Sequence, residues 1–205
     1  MANLDIVNIE GISGIGKSTQ VNVLSNYFKS LGIPILINRI GNDIGSGLKA
    51  TGNTWQFLQK HPNGIVINDG SIAKMMQMEI QSGKPQSEIA QDFIGLTHEY
   101  ECLNHKYNII NILISINDIS VCKDRIIKRR NIFGIENPEG IEYNIDIQTL
   151  VSNGLKIFGD QVLSKSIDFH ILNTHEKDSI LDVHEDILKV INENFTIKNP
   201  SFEGL

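Results

Sequence analysis

Cysteine is scarce in this chain: 205 residues hold two, Cys102 and Cys122, and no CxxC pair. That is too few for a disulfide framework and reads as two reduced thiols. Long apolar runs are lacking too. None approaches the roughly 18 residues of a membrane span, so no membrane partner is expected. The opening MANLDIVNIE has no basic segment followed by an apolar core. No secretory leader is therefore expected, and the cytoplasm is the expected compartment. Positive charge is in deficit, with 18 Lys and Arg against 24 Asp and Glu, a net charge of −6. The pI is near 5.5. This disfavours non-specific binding to nucleic acid or anionic membrane, although local Arg and Lys clusters can still hold an anionic small molecule. Internal repeats, low-complexity tracts and long linkers are also missing. A composition of 40% hydrophobic and 20% charged residues suits one compact α/β domain.

Apolar runs alternate with helical patterns along the chain, which predicts βαβ units and a parallel sheet. Strands are predicted over 4–9, 33–37, 65–68, 109–116 and 168–172. Helices are predicted over 17–31, 72–82, 86–106, 119–130, 145–163 and 179–194. A further short helix over 48–60 is expected to break around Gly52. Pro62-Asn63-Gly64 marks a turn, 131–140 a loop and the residues from 198 on a loose tail. Right-handed crossovers would cover both faces of the sheet. Ligands are then expected beyond the carboxyl ends of the strands.

Between the first strand and the first helix lies GISGIGKST, residues 11–19. Gly11-x4-Gly16-Lys17-Ser18 satisfies the phosphate-loop pattern in its required strand–loop–helix context. The chemistry explains the residue types. Gly11, Gly14 and Gly16 let the backbone curl, so that N–H groups of Ser13, Gly14, Ile15, Gly16, Lys17, Ser18 and Thr19 can converge on one anion. The helix that follows adds its positive end. Lys17 can reach the β- and γ-phosphates, and the Ser18 hydroxyl can ligate Mg²⁺. ATP and Mg²⁺ are thus the expected cofactors.

The stretch IEGISGIGKSTQ, residues 9–20, resembles the opening of the thymidylate kinase family and its deoxynucleoside kinase relatives. HILNTHEKDSILDVHEDILKVI, residues 170–191, resembles that family's last strand, adenine-side loop and closing helix. LVSNGLKIF, residues 150–158, resembles the helix after its lid. The resemblance implies a nucleoside-monophosphate-kinase-like three-layer sandwich: a five-stranded parallel sheet with helices on both faces and a short lid, about 125–142, in one domain spanning 1–197. It implies adenine near Asn173–His175, with Thr174 among the cofactor-binding residues. Arg39 would hold an acceptor phosphate. Asp69, beside Ser71, would act as a carboxylate near Mg²⁺ or toward the acceptor. Arg125 and Arg129, one helical turn apart just before the 131–140 loop, would act as lid arginines that neutralise charge as phosphate moves.

The chain also departs from that family. Its Glu-Pro-Gly-Gly is replaced by Ile40-Gly41-Asn42-Asp43. The chain between Arg39 and Asp69 is short. Gly70 stands where the family has an arginine, which removes a cation expected to steady the transferring phosphoryl group. SIAKMMQMEIQSG, after Gly70, lacks the family's Ala-Tyr-Gln pattern. Met75, Met76 and Met78, like Trp55 and Phe57, fit either core packing or an acceptor pocket. Glu99 and Glu101 fit a sugar-binding role or a solvated helix face. His98, Cys102 and His105 fall at helical spacing, but a buried Cys with two solvated His is the commoner arrangement, so no metal is assigned there. The expected activity is ATP- and Mg²⁺-dependent phosphorylation of a small-molecule acceptor, a (deoxy)nucleoside monophosphate such as dTMP. The alternatives are a nucleoside, modified DNA base or other small alcohol as acceptor, and a nucleotide-binding regulatory protein with little turnover. A polynucleotide partner is disfavoured, and a homodimer stays open.

Overall fold

The computed structural model describes residues 3–39, 46–70, 85, 88, 105–132, 144–161, 168–175 and 178–197. Ser71, Met75, Met76, Met78, His98, Glu99, Glu101 and Cys102 lie outside them, as do nearly all of the helices expected over 72–82 and 86–106, most of the 131–140 loop and the tail.

Five parallel strands form one sheet: β1 (Ile6–Glu10), β2 (Ile35–Arg39), β3 (Ile65–Asp69), β4 (Ile109–Ile116) and β5 (Asp168–Thr174), in the order β2-β3-β1-β4-β5. Every residue of β1 and β4 is buried, as central parallel strands covered on both faces must be. The helices are α1 (Lys17–Ser30), α2 (Ser46–Lys60), α3 (Ser120–Ile132), α4 (Ile145–Gln161) and α5 (Ile180–Asn194). This is the α/β sandwich expected from the sequence.

Side-chain alternation sorts the core. Val7, Ile9, Ile67, Ile110, Ile112 and Ile114 pack with Val21, Leu24 and Phe28 of α1 and Ile187 and Ile191 of α5. On the opposite face Ile6, Val66 and Ile109 pack with Leu58 of α2, and α4 meets β5 where Gly159 lies against the Phe169 ring. Phe57 leans on that second cluster. Trp55 is exposed, with the Lys106 ammonium 5.4 Å from its ring centroid.

The second face carries an unexpected polar row. Asn38, Asn68, Asn8 and Asn111 stand in register on four adjacent strands. Their amides hydrogen-bond in one direction: Asn38 Nδ2 to Asn68 Oδ1 at 2.9 Å, Asn68 Nδ2 to Asn8 Oδ1 at 2.6 Å, and Asn8 Nδ2 to Asn111 Oδ1 at 2.7 Å. Asn38 also donates to Thr54 Oγ1 of α2 at 2.9 Å. Buried amides without partners are costly, so the row offsets its own desolvation.

Three sequence expectations need correction. α2 runs unbroken through Gly52, because a single glycine lowers helix stability by only about 1 kcal/mol and the face carrying Thr54 and Leu58 is buried. β2 starts at Ile35 rather than residue 33. The Ile33 N–H donates to Phe28 O and closes α1, and Pro34 has no N–H to give. α3 continues through Asn131 and Ile132, which were expected in the loop.

Candidate active site

The phosphate loop leaves β1 at Glu10 and enters α1 at Lys17. Its curl needs glycine at three points: Gly11, Gly14 and Gly16 have φ of 144°, 78° and 108°. Two of them also sit against neighbours. A Cβ at Gly11 would lie 2.7 Å from Ile114 O, and one at Gly14 would overlap Cys122 O and lie 2.8 Å from Ile126 Cγ1. The loop therefore rests on β4 and on the first turns of α3.

The start of α1 differs from that of α5. α5 has a complete capping box: Ser179 Oγ accepts from Asp182 N at 3.1 Å and Asp182 Oδ2 from Ser179 N at 2.8 Å. The backbone and side chain of Ser179 hold the Asp182 carboxyl below its ordinary range. α1 has Gly16 as its cap, no side-chain cap bond and no acid in its first turn. The helix thus presents its N-terminal dipole and N–H groups to a ligand.

Lys17 lies across the loop. Its Nζ donates to Gly11 O at 2.7 Å and to Ile12 O at 2.9 Å. Its alkyl chain passes directly over Gly70, which follows β3, has φ of 66° and donates its N–H to Ile9 O at 2.9 Å. A Cβ at position 70 would lie 2.8 Å from Lys17 Cε. A side chain at position 70 would meet the alkyl chain of the loop lysine, so an arginine here and Lys17 in this pose compete for the same space.

A cleft of about 460 Å³ opens over the loop. One side is formed by residues 13–20. Arg125 and Arg129 of α3 face it, both exposed, with buried Ile126 between them. Thr174, His175, Asp178, Ile180 and Val183 close the far end. Thr174 Oγ1 donates to Ser115 O at 3.0 Å, which leaves its backbone and methyl as the surface for a ligand. Ser18 and Thr19 are exposed on the open side.

Arg39 and Asp69 stand at the carboxyl ends of β2 and β3, paired in register. The exposed Arg39 donates from Nη2 to Asn22 Oδ1 of α1 at 2.8 Å. Neither lines the cleft over the loop; they lie on the β2 side of it, with Gly70 between Asp69 and Lys17. Ser71 is outside the described residues.

Gln148 had not been singled out from sequence, whereas Gln20 belongs to the stretch that carried the family resemblance. Gln148 of α4 accepts from the Ser13 N–H at 3.3 Å. Gln20 Nε2 donates to Ile180 O at 2.9 Å and ties the loop helix to the start of α5. Cys122 is buried beneath Gly14. Burial pushes its thiol up to about 11, against the opposing pull of Arg125 and Lys17, so it stays protonated and inert. The pattern Ser179-x-x-Asp182 was a readable capping signal for this wall of the cleft. Nothing in the sequence pointed from Gln148 to the loop.

No family model matches the chain, and no curated protein matches its sequence. Among solved structures, thymidylate kinase from Ehrlichia chaffeensis is 18% identical, with a TM-score of 0.50 over 92% of this chain and 98% of its own. Polyphosphate kinase 2 from Arthrobacter aurescens TC1 is 9% identical, with a TM-score of 0.62 over 100% of this chain and 74% of its own. Identities this low speak for the fold, and the fold of this chain is that of the P-loop kinases, thymidylate kinase among them.

Proposed function

We propose that the chain is an ATP- and Mg²⁺-dependent kinase of one domain, residues 1–197, that phosphorylates a (deoxy)nucleoside monophosphate. One observation carries this reading: an uncapped helix with a complete phosphate loop faces two arginines across a cleft of about 460 Å³. ATP would lay its phosphates in the loop, with its base toward Thr174 and His175. Lys17 would leave Gly11 O and Ile12 O for the β- and γ-phosphates. Arg125 and Arg129, on the stem of a lid over about 125–142, would balance the charge that develops during transfer. Mg²⁺, when bound, would supply positive charge against the phosphate oxygens. Ser18, exposed beside the loop, and Asp69, at the end of β3, are the oxygen donors that suit it. The acceptor would enter on the Arg39 and Asp69 side, where Arg39 would hold its phosphate and Ser71 would assist. Among the described residues no helix is long and apolar enough to cross a membrane.

The test is a coupled ADP-release assay over nucleosides, nucleoside monophosphates, small alcohols and a polyphosphate chain. Release stimulated by one nucleoside monophosphate is the expected result. Stimulation only by another class would move the acceptor and keep the donor chemistry. ATP binding by calorimetry with no product from any acceptor would overturn the kinase reading in favour of a regulatory nucleotide binder.

A further inference from the structure

The two helices that flank residues 133–143 both reach the same turn of the phosphate loop. α3, which precedes them, presents Cys122 O and Ile126 to Gly14 so closely that no Cβ fits between. α4, which follows them, presents Gln148 to the neighbouring residue: Gln148 Oε1 accepts the Ser13 N–H. Gln148 is 3% exposed. A glutamine is rarely that buried unless its amide is used. Its position is fixed from its own helix. Asn144 Oδ1 caps α4 by accepting from Asp146 N at 3.0 Å and Ile147 N at 3.2 Å, and Gln148 N donates to Asn144 O at 3.0 Å. The side chain therefore projects from a capped first turn into the bend of the loop.

We propose that Gln148 is a positioning residue for the phosphate donor, holding the Ser13–Gly14 turn in the curl that the β- and γ-phosphates require. This deepens the donor reading above and rests on it. The Ser13 N–H donates to Gln148, the Ile15 N–H to Ile12 O at 3.5 Å and the Thr19 N–H to Gly16 O at 3.0 Å, so these three loop donors are engaged within the protein. Gly14 is in turn held by α3. A loop held on both sides before ATP arrives spends less of its binding free energy on ordering. The same contacts join the loop to α3 and to α4.

The test compares wild type with Gln148→Met, which keeps the side chain's length and bulk but removes the acceptor, and with Gln148→Asn, which keeps the amide but shortens its reach. Calorimetry with MgATP and steady-state kinetics are read below the melting temperature of each. Both variants are expected to raise the ATP dissociation constant and ATP KM about tenfold. Acceptor KM, and kcat at saturating ATP, should stay within twofold. A residue that only filled space would tolerate methionine, and a variant that only folded poorly would lose binding stoichiometry without a change in dissociation constant. An unchanged ATP dissociation constant in Gln148→Met overturns the inference. Absence of ATP binding in wild type overturns the donor reading itself, and the two failures fall in different arms of the experiment.

Discussion

Replacing Gly70 by alanine should damage the site through two separable effects. The first is backbone strain: φ is 66°, where an L side chain costs about 1–2 kcal/mol. The second is displacement of Lys17. The new Cβ would lie 2.8 Å from Lys17 Cε, so in the ATP-free protein the lysine must shift at the expense of its bonds to Gly11 O at 2.7 Å and Ile12 O at 2.9 Å. Hydrogen bonds to a charged group are worth about 1.5–3 kcal/mol each, so weakening one is comparable to the strain. Together these predict a stability loss of about 2–3 kcal/mol. The same Cβ also stands in the path Lys17 would take to the phosphates, and a loss of about 1.4 kcal/mol from that contact raises the ATP KM about tenfold. Asparagine separates the effects, because it tolerates the left-handed region but carries the same Cβ. Gly70→Asn should recover much of the stability and little of the ATP affinity. Urea denaturation and ATP-dependent kinetics on the three proteins provide the readout. Gly70→Arg, which recreates the residue pair of the resembling family, should likewise lose activity. A Gly70→Arg protein at least as active as wild type, or a Gly70→Ala protein unchanged in both measurements, would refute the argument that Lys17 needs this space.

Three further outcomes can be checked by equilibrium unfolding. Gly52→Ala places a methyl in open space on a helix interior and should stabilise the protein by about 0.5–1 kcal/mol, raising Tm by about 1–4 °C. Ser179→Ala removes the α5 cap and should cost about 1 kcal/mol, and Ser179→Asp should recover most of it. His184 is buried between α5 and α1, its ring edge-on to Tyr27 and its Nδ1 without a partner among the described residues. Burial holds its pKa below the ordinary 6.5, more than neighbouring Glu185 raises it. The unfolded chain therefore takes up the proton first. Stability from this residue is full above about pH 6.5 and is lost as the pH falls toward the lower folded value. His184→Phe should flatten that part of the pH profile, and an identical slope in both proteins would contradict it.

Much of the fold was legible because burial on both faces of a parallel strand writes a continuous apolar run, as in residues 109–116. The phosphate loop was legible because curling a backbone around an anion leaves glycine at fixed places. What escaped was set by contacts distant in sequence. The continuity of α2 through Gly52 depends on the sheet beneath it. The use of Gly70 depends on where Lys17 lies, a fact about two loops at once. Gln148 reads as one more polar residue of an amphipathic helix until α4 is set against the loop. Asn8, Asn38, Asn68 and Asn111 look like interruptions of apolar strands, and only the register turns them into a row.

That row bears on how the molecule assembles. Asn8 sits on the central strand and closes its bonds only with Asn68, 60 residues on, and Asn111, 103 residues on. Shifting a strand by one position turns its amide to the face packed by α1 and α5, and shifting by two breaks the amide–amide bonds of the row. Either error leaves a buried amide without these partners, at a penalty no apolar contact makes good. Isoleucine, the commonest residue at the other sheet positions, would accept many alignments almost equally. The asparagines single out one alignment, the one in which all three amide–amide bonds are made together.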